Sequence, residues 1–311
     1  MLNPSTTMVH VDAPLSDLSI KYTNDELIHE KICPSVTVKK QSDLYYIYGK
    51  ENFKRVNSTR APGSAARTIN HTYTTGSYHC LSNALNEKIP NEVRENADTP
   101  LDPEIDATEN VTDVLLLNKE VRVRDMLYNG ITNTGTPTVK WDAASGSTPD
   151  VDILAAVSVI HAACFKRANK IIIPWAVAVK LTTNSTIKEM TKYTMNLLTI
   201  GSAIMLPNPL WGMEVLIAGA GENTANLGQA AVNSYIWGNN VVLSYVNPSP
   251  GLKRLSLGYI FQWKAREVTK WYEQKEKSTY VEIEEYTDEK ITCKECGYIL
   301  TNVLGNVSTL S

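Results

Sequence analysis

A chain of 311 residues is longer than one hydrophobic core usually serves, and a hydrophobic content of 43 % can fill more than one. A formal net charge of −3 and a pI of about 6.0, with no basic stripe, exclude tight nucleic-acid binding as the main task and leave weak contact with DNA. The longest apolar stretches, 171–174 and 213–220, fall far short of the ~20 residues that cross a bilayer, so no membrane partner is expected.

Residues 1–30 are polar and weakly periodic and read as an extended arm that orders against neighbours. Residues 36–48 (VTVKKQSDLYYIY) carry β-formers, and so do 71–82 (HTYTTGSYHCLS). Between them, 49–70 is charged and poor in aliphatic residues, so it cannot bury a face by itself. Strand, polar excursion, strand is the pattern of a long β-arm, since loops of that length are uncommon unless functional. Residues 83–105 are acidic and contain Pro90, Pro100 and Pro103.

The clearest helix follows. Asp106-Ala-Thr-Glu109 reads as a capping box. Val114, Leu117, Val121 and Tyr128 recur at helical spacing, with Leu116, Val123 and Leu127 on an adjoining face. A helix over 107–129, stopped at Asn129-Gly130, is a rod of roughly 34 Å that needs cover on two sides. Residues 131–147 are turn-rich and read as a hairpin or loop. A second region opens at Thr148-Pro149-Asp150, an N-cap followed by a first-turn proline. Leu154, Val157, His161 and Cys164 share a face of that helix, which makes His161 a core histidine on this reading. Strands are expected at 171–173, 213–218 and 241–246, and a short helix at 174–182. Two long antiparallel strands with one wet face follow from Gly258. The class is α+β.

No catalytic cluster emerges. Gly219-Ala-Gly221 follows a strand, but Thr224 stands where a dinucleotide loop needs its third glycine. The five histidines are scattered. Cys293-Lys-Glu-Cys296 is half of a zinc ribbon without a second pair, and Cys33, Cys80 and Cys164 lie far upstream. An odd number of cysteines argues for synthesis in a reducing compartment, and the N-terminus shows no secretory leader pattern. No enzyme activity, cofactor or metal is expected.

The order of parts, with its local text, resembles one family. Arg60-Ala-Pro62-Gly63 in the excursion looks like the R-x-P-G patch of an extended loop. Asn96-Ala97, Asp102, Ala107-Thr108 and Glu120 then resemble the run-in and long helix. Thr148-Pro149-Asp150 with Asp152-Ile153, Ile236-Trp237-Gly238 before Leu243-Ser-Tyr245, and Gly258-Tyr-Ile-Phe261 complete the set. Over roughly 31–300 this is similar to the major capsid proteins of tailed bacteriophages, whose Hong-Kong-97-like fold encapsulin shells share.

The resemblance implies an N-terminal arm at 1–30 and a first peripheral part at 31–147. That part would hold an extended loop near 48–82, a spine helix near 104–130 and a hairpin at 131–147 that binds neighbours around threefold axes. An axial α/β domain would occupy 148–256, and return strands with a tail 257–311. It implies a shell subunit that forms pentamers and hexamers of an icosahedral head around double-stranded DNA, with an encapsulin-like nanocompartment shell as the alternative. A separate scaffold protein, a portal and decoration proteins would be partners. Assembly would take place in the bacterial host cytoplasm, ending in the virion.

Charge placement suggests how such subunits meet. By alternation, Lys264, Arg266 and Lys270 share one sheet face. A basic face there, and the basic loop residues Lys50, Lys54, Arg55, Arg60 and Arg67, are expected to contact neighbours, with the acidic stretch 87–109 as one complement.

Overall fold

The computed structural model describes residues 10–11, 26–48, 55–70, 73–97, 102–143, 145–191, 206–225, 228–230, 232–249, 251 and 254–305. The reading of 1–30 as an arm therefore falls largely outside them. What is described there is β1 (His10–Val11), laid antiparallel on Lys270 and Thr269. From Leu27 the chain is no longer an arm. Leu27, Ile28 and Ile32 are buried, and the single-turn helix α1 (His29–Ile32) sits in the main core.

After β2 (Ser35–Thr37), the strands β3 (Ser42–Tyr48) and β4 (Tyr73–His79) pair in register from Ser42–His79 to Tyr48–Tyr73. Leu44, Tyr46 and Tyr73 stay exposed along this ribbon. β5 (Leu81–Pro90) runs into the one-turn helix α2 (Asn91–Glu95). The acidic stretch thus begins as a strand, paired with β13 (Ser278–Ile291) from Leu81–Thr287 to Pro90–Ser278. Its mostly exposed side chains left no apolar alternation to read.

The long helix α3 spans Pro103–Gly130, 28 residues, or about 42 Å. It starts a turn earlier than the Asp106 capping box suggested. Asp102 is the N-cap, its carboxylate accepting from Glu104 N at 3.0 Å, and Pro103 fills the first position, where a missing N–H is harmless. Substitution Asp102→Ala should lower stability by about 1 kcal/mol, read as a shifted urea midpoint. The helix is covered on two sides, but of the two faces read from sequence only Leu116, Val123 and Leu127 are buried; Val114 is exposed and Leu117, Val121 and Tyr128 are half-buried. Its first half packs Ala107 and Val111 on Val268, Val281 and Ile283, and its second half carries Val123 and Leu127 into the main core.

The sheet under that helix runs β1-β12-β13-β5, where β12 is Gly258–Glu273, with β2 also parallel on β12. The pairing of β12 with β13 shifts register between Gln262 and Lys264 and again between Lys264 and Glu267. Each irregularity inserts a residue and re-aims its side chain.

Residues 131–147 are not a hairpin among the described residues. The three-residue strand β6 (Asn133–Gly135) pairs in parallel with β14 (Gly297–Leu300), and Trp141 is buried beyond it, its indole donating to Asp152 at 2.9 Å. Helix α4 (Pro149–Cys164) begins after Thr148 as expected, but its buried face is Ile153, Ala156, Ile160 and Cys164. That face is offset from the one the sequence suggested. Leu154 and His161 are exposed, so His161 is no core residue.

Then follow β7 (Lys170–Pro174), α5 (Trp175–Thr183), α6 (Ser185–Thr191), β8 (Glu214–Ala218), β9 (Gly221–Asn223), β10 (Asn233–Tyr235) and β11 (Val241–Ser244). The second sheet has the order β6-β14-β11-β7-β8. Ile171, Ile172, Ile173, Val241, Val242 and Leu243 are all at 0 % exposure, which is why these strands read as unbroken apolar runs. β14 is the surprise. Instead of joining the long return strands, it crosses to lie between β6 and β11, so the last strand among the described residues locks the second sheet.

Candidate assembly surface

The tip of the β3–β4 ribbon is the most exposed segment described. Every residue from Arg55 to Asn70 is exposed, and none is in a helix or strand. A turn gives it local order. Ser64 N donates to Ala61 O at 3.2 Å, Ser64 Oγ bonds the same carbonyl at 2.9 Å, and Gly63 has φ 81°. Proline at the second and glycine at the third position of a turn are what a positive φ there calls for. Arg60 immediately precedes this turn. Among the described residues Arg55, Arg60 and Arg67 have no ion-pair partner. Lys50 and Lys54 lie outside the described residues.

A groove of about 870 Å³ opens where β5, α2 and the start of α3 meet, with Glu87, Glu92, Asp106, Asn110 and Lys88 among its lining residues. Asn110 donates to Glu87 at 2.8 Å, and the Lys88 ammonium is taken by Glu276 at 2.7 Å. Three carboxylates therefore face a groove whose lysine is already engaged.

The three basic residues of β12 do not form one outward face. The two register shifts turn Lys264 to the side of Trp263 and Tyr286, with its ammonium 5.0 and 5.4 Å from those ring centroids. Arg266 and Lys270 instead point beneath α3. Arg266 lies 3.7 Å from Glu285, and Lys270 pairs with Glu104. Their charges are spent inside the subunit, because a helix covers the sheet face that simple alternation left open.

Two buried polar clusters fasten α3. Lys119 and Glu285, 3 % and 0 % exposed, pair at 3.2 Å, with Arg122 bridging Glu285 and Glu289 at 3.7 and 3.2 Å. One residue on, about 100° around the helix, Glu120 is fully buried on another flank. Its Oε2 accepts Ile28 N at 3.1 Å, His29 N at 2.9 Å and His29 Nδ1 at 2.8 Å, while Oε1 accepts Trp237 Nε1 at 2.7 Å. One carboxylate thus ties α1, α3 and the turn after β10 together. Sequence reasoning singled out Glu120 and Trp237 without joining them. The signal was present, since a charged pair at 119–120 inside a helix apolar on two faces has no wet side to occupy.

Among the described residues no group of three or more His, Cys, Asp or Glu side chains is placed to hold a metal ion, and no helix is long and apolar enough to cross a membrane. No family model matches the sequence. The chain is 26 % identical over 242 residues to the major capsid protein of Burkholderia phage BcepMu, an alignment spanning 76 % of each chain. Its fold resembles a phage-related protein of Bordetella bronchiseptica RB50, with a TM-score of 0.72, 21 % identity, and cover of 96 % of this chain and 99 % of that one. It also resembles the capsid of cyanophage P-SCSP1u, with a TM-score of 0.60, 11 % identity, and cover of 90 % and 88 %. In sequence and in fold alike, the chain is similar to the major capsid proteins of tailed phages, which are structural proteins and not enzymes.

Proposed function

We propose that the chain self-assembles as pentamers and hexamers of an icosahedral head that encloses double-stranded DNA. The observation that carries this reading is the exposed tip at 55–70. A segment with three arginines and no partner among the described residues of its own chain is built to be ordered by something else. The acidic groove at Glu87, Glu92 and Asp106 offers the complement on a second copy. Spreading contact over a long ribbon lets one subunit touch several neighbours, and closure of the shell multiplies weak contacts.

In this reading the residues before Leu27 act as an arm, the ribbon at 48–82 as the extended loop and α3 as the spine. Residues 148–256 face the five- and sixfold axes, and 257–311 close the subunit. The strand β14 departs from that division, because it belongs with 148–256 by pairing. A separate scaffold and a portal direct assembly in the host cytoplasm, decoration proteins bind outside, and DNA is touched weakly, in keeping with the net charge.

Electron microscopy of purified protein, alone and with the scaffold encoded beside it, is expected to show shells, tubes, or rings of five and six. A compact monomer at every concentration in both preparations overturns the proposal. An encapsulin-like compartment rests on the same fold. Neighbouring genes for terminase and portal support the head, and a neighbouring peroxidase or ferritin-like gene supports the compartment.

A further inference from the structure

The five cysteines look scattered in sequence, and none is in a disulfide. The fold gathers three of them. Cys164 ends α4, and Cys293 caps and Cys296 ends the 3₁₀ turn that leads into β14. Cys296 N donates to Cys293 O at 3.2 Å, closing a four-residue turn that holds the two α-carbons within about 7 Å. A disulfide spans that distance. The sulfurs are already 3.1 Å apart, with the Cys296 thiol donating to Cys293, and Cys164 lies within hydrogen-bonding reach of Cys296 on the other side. Cys293 is partly exposed and Cys296 buried, so a reagent from solvent meets Cys293 first.

The electrostatics agree with that order. Hydrogen bonding with Cys296 holds the thiols of Cys293 and Cys164 below the ordinary range, Cys164 at about 7, and pushes Cys296 itself up. Cys33 and Cys80 have no such neighbour. Burial pushes Cys33 up to about 12 and also raises Cys80. Thiolate character favours Cys293 and Cys164, and access then selects Cys293, because Cys164 is buried.

We propose that Cys293 and Cys296 are a dithiol–disulfide site, oxidised by a low-molecular-weight disulfide such as oxidised glutathione. The Cys293 thiolate attacks one sulfur of the glutathione disulfide. That S–S bond breaks, and the first glutathione leaves as a thiolate that takes up the proton Cys293 released. Cys296 then loses its proton and attacks the Cys293 sulfur. The mixed disulfide breaks, and the second glutathione leaves with that proton. Two protein thiols are oxidised, and one glutathione disulfide is reduced to two thiols. The product fixes the turn that feeds β14 into the second sheet and removes the Cys296 hydrogen from the three-thiol cluster.

The test uses the unmutated full-length chain, both as free subunits and as assembled particles. The protein is incubated with oxidised glutathione, quenched in acid, alkylated in denaturant and mapped by mass. Only Cys33, Cys80 and Cys164 are expected to alkylate, and the segment 293–296 is expected to be lighter by two hydrogen atoms. Variants Cys33→Ser and Cys80→Ser should form the same bond, and Cys293→Ser should form none. The proposal is overturned if all five cysteines alkylate, if glutathione remains attached as the end product, or if the bond joins Cys164 to Cys296.

Discussion

Replacing Glu120 with alanine is expected to lower the unfolding free energy of the free subunit by about 3–5 kcal/mol. The carboxylate is at 0 % exposure and accepts from two backbone amides, the His29 ring and the Trp237 indole. Truncation strands all four donors in the core. Each buried donor without an acceptor costs about 1–3 kcal/mol, and partial relaxation keeps the sum below the simple total. Glu120→Gln tests the chemistry apart from the volume. The amide keeps one accepting oxygen but turns two N–H groups toward donors, so a loss of about 1–3 kcal/mol is expected. Urea unfolding followed by circular dichroism reads both. An alanine variant within about 1 kcal/mol of the parent shows that the clasp is no more than packing. Because the clasp joins the first described helix to a turn more than a hundred residues later in the sequence, its loss should also broaden the transition.

What the sequence made legible was whatever local physics decides. The long helix announced itself through periodicity on two faces, α4 through Thr148-Pro149, and β7 through an apolar run too short for anything but a buried strand. The exposed excursion at 55–70 was readable because nothing in it could form a core. What stayed hidden depended on partners distant in the chain. β5 is paired along its length with β13, yet its side chains are mostly exposed, so no alternation marks it. Arg266 and Lys270 do share a face, but α3 covers it, and two register shifts re-aim Lys264; alternation foresees neither. Moving the helix start from Asp106 to Asp102 is a competition between two plausible caps, settled by Pro103 beside the second. The cysteine cluster needed α4 and β14 to become neighbours, a contact across more than a hundred residues that no spacing rule encodes.

Reversing Arg60 and Arg67 together to glutamate is expected to leave the subunit folded and abolish closed particles. Both side chains are exposed and lie beside or beyond a self-contained turn, so their loss removes no packing, and the circular dichroism and urea midpoint should not move. Assembly is another matter. One exposed ion pair is worth only about 0–1 kcal/mol, which no single contact would notice. A closed shell repeats that contact in every subunit, and reversal replaces each attraction with a repulsion between the tip and the carboxylates of Glu87, Glu92 and Asp106 on a neighbour. Sedimentation and electron microscopy should show free subunits or open sheets. Assembly of the parent should weaken as salt rises, because the Debye length shrinks from about 10 Å at 0.1 M to about 3 Å at 1 M. The decisive arm is a charge swap. Adding Glu87→Lys and Glu92→Lys to the double reversal is expected to restore closure if the groove receives the tip. Normal particles from the double reversal at ordinary salt would mean that the tip is no electrostatic clamp. Failure of the swap to rescue, with folding intact, would place its docking partner elsewhere on the subunit.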